Sequence, residues 1–137
     1  MNIQPVKDRT VADYMNQNFI KLSPKTTISN AINILMSERL IAAFVINDDN
    51  EVVGILSEKD CLNLVLHHSF DPRPAGLVKD YMHEMSLSIP SSTTALEATQ
   101  ILIEEKTRRL PVIDNGKLMG QITRRNLIIG LHGHLFP

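Results

Sequence analysis

Apolar and polar positions along the chain fall into short periodic runs. Ile28, Ala31, Ile32, Leu35 and Met36 recur at i, i+3, i+4, i+7 and i+8, the one-sided stripe of an amphipathic helix. Ala95, Ala98, Ile101 and Leu102 repeat the arrangement, and Thr94 with Glu97 forms a capping box ahead of it. Alternating stretches, FIKLS at 19–23 and SLSIP at 86–90, predict short strands ending beside prolines. AAFVIN and VVGILS flank Asp48-Asp49-Asn50-Glu51 and predict a hairpin; LPVID and KLMGQIT flank Asn115-Gly116, a pair that accepts the positive φ of a tight turn. CLNLVLHH and LIIGLHGHL each predict a closing helix.

These elements come twice because the sequence is duplicated. Residues 11–46 align without a gap on residues 78–113, an offset of 67, with 12 identities in 36 pairs. VADYM pairs with VKDYM, Thr26-Thr27 with Thr93-Thr94, and Val45-Ile46 with Val112-Ile113. Beyond the hairpins the offset is 66, pairing Gly54 with Gly120, Ser57 with Thr123, and Asp60 with Asn126. The repeats are expected at 10–68 and 78–134, with 69–77, broken by two prolines and a glycine, as the linker. The fold class is α+β, each copy reading β-α-β-β-α. One small sheet leaves an apolar face open, so the two copies are expected to pack sheet to sheet with pseudo-twofold symmetry.

Composition narrows the function classes. Fourteen Lys plus Arg against fifteen Asp plus Glu give a net charge of −1, so no global positive field draws nucleic acid. No apolar run approaches the roughly 20 residues of a membrane-spanning helix. The opening MNIQPVKDRT has no apolar signal core, and a cytoplasmic, non-membrane protein is expected. The single cysteine, Cys61, allows no internal disulfide; among Leu62, Leu64 and Leu66 it reads as a small core residue. His67, His68, His83, His132 and His134 have no Cys or acidic cluster beside them, so no metal is expected. No Walker loop, Gly-x-Gly-x-x-Gly or Ser–His–Asp arrangement argues for an enzyme.

With GILSEKD and GQITRRN at matching points of the two copies, and TRRLPVID in the second, the chain resembles a tandem pair of CBS domains over roughly residues 10–132. The resemblance implies a non-catalytic regulatory module that binds an adenosine nucleotide (AMP, ADP or ATP), with or without magnesium, in clefts between its repeats. One cleft would combine Ser57 and Asp60 with Leu87, Ser88, Arg108, Arg109, Leu110 and Pro111. The other would combine Ile20, Lys21, Ile41 and Ala42 with Thr123, Arg124 and Asn126. The resemblance also implies a homodimer, parallel or antiparallel, through Cys61–Leu66 and Leu127–Leu131, with Leu64 and Ile128 near its centre, and a downstream target in another chain.

The chemistry of these residues fits that reading. Gly54 lets backbone approach a flat ring, the Ser57 hydroxyl opens a helix, and Asp60 is an acceptor for ribose hydroxyls. The same Ser57-x-x-Asp60 spacing is also an ordinary helix cap. Between Lys106 and Arg125 six basic residues stand against Asp114 alone, a balance of +5; the matching stretch from Arg39 to Lys59 balances at −2. Arg108 and Arg109 therefore favour the first cleft for phosphate, while Asn126 and the neutral Ile41-Ala42 weaken the second. Two alternatives stay open: a ligand-free interaction module with a protein partner, and a sensor of S-adenosylmethionine.

Overall fold

The computed structural model describes residues 6–71, 73–85 and 87–136. Pro72 of the expected linker, Ser86 of SLSIP and the first five residues of the opening segment lie outside them. Two compact units form, Ile20–Ser86 and Met1–Phe19 together with Leu87–Pro137. These units are offset from the sequence period, because the opening of each repeat packs with the later elements of the other.

In the unit Ile20–Ser86, β1 (Lys21–Leu22) runs parallel to β2 (Ala42–Ile46), which pairs antiparallel with β3 (Val52–Ser57). Between β1 and β2 lies α1 (Ile28–Ser37), capped by Thr27, and β3 runs directly into α2 (Glu58–His68). Ile28, Ala31, Leu35, Ala43, Val45, Leu56 and Cys61 form the core. The other unit repeats the order with α3 (Ala95–Glu104), β4 (Arg109–Asp114), β5 (Lys117–Thr123) and α4 (Arg124–Leu135). Its core holds Ala95, Ala98, Leu102, Leu110, Val112, Ile122 and Leu127. The β4–β5 turn has Asn115 at φ 52° and Gly116 at φ 78°, the left-handed pair that two-residue hairpins require. Ala42–Val45 and Leu110–Val112 are all buried, so β2 and β4 are covered on both faces, as their unbroken apolar runs imply.

Every shared letter of the repeated V-x-D-Y-M segment has a task. Val11 and Val78 are fully buried, one in each core. Asp13 and Asp80 accept the backbone N–H of Thr10 at 3.0 Å and of Leu77 at 2.8 Å, closing a short 3-10 turn. Tyr14 and Tyr81 pack onto the cores. The chain then crosses a strand edge: His83 exchanges both backbone bonds with Ile55 (2.9 and 3.0 Å), and Asn16 does the same with Gln121 (2.8 and 2.9 Å). Gly54 and Gly120 lie beneath these crossings. A Cβ on Gly54 would stand 2.7 Å from Met82 Sδ and 3.0 Å from the His83 carbonyl; one on Gly120 would stand 3.0 Å from both Met15 Sδ and the Asn16 carbonyl. The space above Gly54, expected for a flat ligand ring, is thus filled by the chain itself.

Three sequence expectations change. Met36, placed on the buried stripe of α1, is 52% exposed, since the stripe turns away from the core by the last turn. Leu64, expected at a dimer centre, lies inside its own core at 8% exposure, and Leu62, Val65 and Leu66 carry the outward face of α2. Among the described residues of SLSIP, 87–90, Ile89 makes a parallel bridge to Val112 and no strand forms. Pro111 stands where Phe44 stands in the first copy, and it has no N–H to extend the ladder.

Burial, then the charges of Asp60 and Glu58, push the Cys61 thiol up from its ordinary value. A raised pKa disfavours the thiolate, so Cys61 should react far more slowly with a thiol reagent at about pH 8 in the folded protein than in urea. Equal rates would place it outside the core. Gly54→Ala and Gly120→Ala should each cost about 1–3 kcal/mol in urea unfolding, because Met or backbone must move to admit the methyl.

Candidate functional site

Both motif segments sit where a strand becomes a helix, and the backbone explains why. Ser57 is the N-cap of α2: its hydroxyl accepts the Asp60 N–H at 3.2 Å, and Asp60 Oδ2 accepts the Ser57 N–H at 2.8 Å and hydroxyl at 2.9 Å. Thr123 caps α4 in the same way, accepting the Asn126 N–H at 3.0 Å while Asn126 Oδ1 accepts the Thr123 N–H at 3.1 Å. Each motif therefore satisfies two helix-end donors without any ligand. The two copies differ in what remains. Asn126 leaves an amide group, whereas the Asp60 carboxylate leaves its second oxygen, Oδ1, which takes none of these bonds.

A third donor reaches Asp60. His83 Nδ1 lies 2.9 Å from Oδ2, with the histidine side chain 53% exposed and the aspartate 17%. The sequence flagged His83 only as one of several histidines, but its signal was present. The offset of 67 pairs His83 with Asn16, just as the offset of 66 pairs Asp60 with Asn126, so both partners are replaced together in the other unit.

The remaining expected residues distribute over the two units. In Ile20–Ser86, Ala42 pairs with Ser57 and the Glu58 N–H donates to the Ile41 carbonyl at 2.8 Å. Ile20 is half-buried and Lys21 is exposed. In the other unit, Arg109 pairs with Thr123, the Arg124 N–H donates to the Arg108 carbonyl at 3.3 Å, and Arg124 Nε donates to the Thr107 carbonyl at 3.0 Å. Leu110 and Pro111 are buried, Leu87 is half-buried and Ser88 exposed. Each unit thus brings its own motif against the start of its own hairpin; the two expected clefts each draw residues from both units. Burial, and then Arg108, lower the Arg109 guanidinium from its ordinary value. Arginine keeps its charge over the accessible range, so both side chains stay cationic.

Two of the other histidines make local contacts. His67 Nδ1 is 2.7 Å from the Asn63 carbonyl, and His132 packs on Phe136 with ring centroids 5.5 Å apart. Among the described residues no three His, Cys, Asp or Glu are grouped to hold a metal ion, and no helix is long and apolar enough to cross a membrane.

Known proteins share this architecture. CBS domain-containing protein CBSX2, chloroplastic, of Arabidopsis thaliana is 29% identical over 147 residues, covering 87% of this chain. The chain spans 62% of that relative's length. The crystal structure of CBSX2 in complex with AMP matches with a TM-score of 0.79 at 32% identity, over 93% of this chain and 98% of that one. An uncharacterized conserved protein from Pyrococcus horikoshii shares the fold, with a TM-score of 0.71 at 21% identity over 90% of this chain and 92% of its own. The CBS domain model matches residues 11–67 and again residues 78–133. The chain belongs to the CBS-domain family, as a tandem pair.

Proposed function

We propose that this chain is a regulatory module that senses an adenosine nucleotide and reports its presence by a change of shape. The observation that carries the reading is the Asp60 carboxylate, held at a helix start with Oδ2 engaged and Oδ1 left to accept from a ribose hydroxyl. The AMP complex of CBSX2, similar over nearly the whole chain, supports the choice of ligand class. Around Asp60 and Ser57 the reading assembles Leu87, Ser88, Leu110 and Pro111 as walls for adenine, and Arg108 and Arg109 for phosphate. Ile20, Lys21, Ile41, Ala42, Thr123, Arg124 and Asn126 make a weaker second site. Binding works by favouring one packing of the two repeats over another. The module acts in the cytoplasm, as a homodimer, on a protein in another chain.

The dimer reading rests on the outward faces of the second helices. Leu62, Ile128 and Ile129 are 69%, 67% and 64% exposed. Beside α4, an apolar groove of about 400 Å³ is lined by Leu102, Ile103, Leu127, Ile128, Leu131 and Phe136. Exposed apolar area of this kind seeks a partner.

Four measurements test this. Asp60→Ala should weaken AMP binding by about 1.5–3 kcal/mol in calorimetry, the worth of hydrogen bonds to a charged group; unchanged affinity sinks the site. The double variant Arg108→Ala, Arg109→Ala should weaken ATP more than adenosine, since only phosphates lose partners. A wild-type chain that gains no thermal stability with any adenine nucleotide would favour the ligand-free interaction module. Ile128→Glu should convert the dimer to a 15.4 kDa monomer in sedimentation; a wild-type monomer at high concentration rejects the dimer outright.

A further inference from the structure

We infer that His83 is a positioning residue for the Asp60 carboxylate: its Nδ1–H pins Oδ2, so that Oδ1 is presented to a ligand hydroxyl. An ionised carboxylate only accepts, so at 2.9 Å the imidazole Nδ1 must be the donor. The ring does not reach there by chance rotation. Both backbone bonds of His83 go to Ile55, and Ile55 lies two residues before Ser57 on the same strand. The strand therefore carries both ends of the contact, the histidine on its edge and the Ser57–Asp60 cap at its tip.

Three donors now converge on one oxygen: the Ser57 N–H, the Ser57 hydroxyl and the His83 ring. Fixing the group before a ligand arrives removes an ordering cost that binding would otherwise bear. The same backbone crossing in the other unit does not do this. Asn16 bridges Gln121, but its Oδ1 turns back to accept the Asn18 N–H at 2.9 Å, and Asn126 Oδ1 is bonded to the Thr123 N–H. The acid and its histidine occur together in one unit, and two asparagines in the other. Histidine at 83 thus marks which motif is built around a carboxylate.

The ligand part of this inference rests on the nucleotide reading, and the experiment separates the two. His83→Leu keeps bulk but has no donor; His83→Asn keeps an N–H near the Nδ1 position. His83→Leu should weaken AMP binding about tenfold and His83→Asn less than about threefold. A space-filling role would give the reverse order and overturn positioning. Normal binding by His83→Leu while Asp60→Ala has lost AMP also overturns it, and leaves the nucleotide reading standing. Unchanged affinity in Asp60→Ala overturns the nucleotide reading instead. A ligand-free measurement decides the contact itself. Long-range 1H–15N spectra at about pH 8 should show the Nδ1–H tautomer for the ring whose signals vanish in His83→Asn, because the bonded nitrogen keeps the proton. The Nε2–H tautomer there would overturn the inference whatever AMP does.

Discussion

At two points the backbone lies across a strand edge with no room for a side chain between. Gly54 sits under Met82 and His83, and Gly120 under Met15 and Asn16. Each crossing segment exchanges two backbone hydrogen bonds with one residue of an edge strand, Ile55 of β3 or Gln121 of β5, and so blunts an edge that could pair with another chain. They hold Tyr14 and Tyr81 against the cores. They also bring one imidazole to one carboxylate. The glycine of each Gly-x-x-Ser/Thr motif is therefore first a packing requirement of the fold, and only through that a condition for the site.

Much of this architecture was legible in the sequence because its signals are local. Asn115-Gly116 specified the second hairpin turn, Thr94 and Glu97 the start of α3, and the stripe Ile28, Ala31, Leu35 the buried face of α1. The duplication was legible through the strict offset. What escaped were consequences of contacts distant in the chain. Val11 reads as part of the first repeat yet is buried against Ala95, Ala98 and Leu102, because periodicity carries no information about which core a segment joins. Leu64 and Leu62 are both leucines on one helix, and only the direction of the core separates them. The shortening at Ile89 needed the pairing register before the missing N–H of Pro111 could matter. At the candidate site, Ser57 and Asp60 were legible from spacing, while His83, 23 residues away, became visible only with the crossing.

The two copies have kept their packing residues and diverged in their charges. Valine, aspartate, tyrosine and methionine of V-x-D-Y-M are shared, as are the core positions Val45 and Val112. One unit has Asp60 and His83 with acidic neighbours; the other has Asn126 and Asn16 with Arg108, Arg109, Arg124 and Arg125. A capping box tolerates either Asp or Asn, because only a carbonyl-type acceptor is required. The motif position was therefore free to change its charge without unfolding the helix behind it.

The exchange of opening segments has a consequence for how such a chain arises. A polypeptide containing one repeat alone would carry the cover for an edge it does not possess, and lack the cover for the edge it does. Two such polypeptides satisfy each other only by trading their openings, a reciprocal swap between molecules. Joining the copies in tandem makes that trade internal, at the effective concentration set by the connecting residues and independent of how much protein is present. Within one chain that holds both copies, β3 and β5 each find the segment that crosses them.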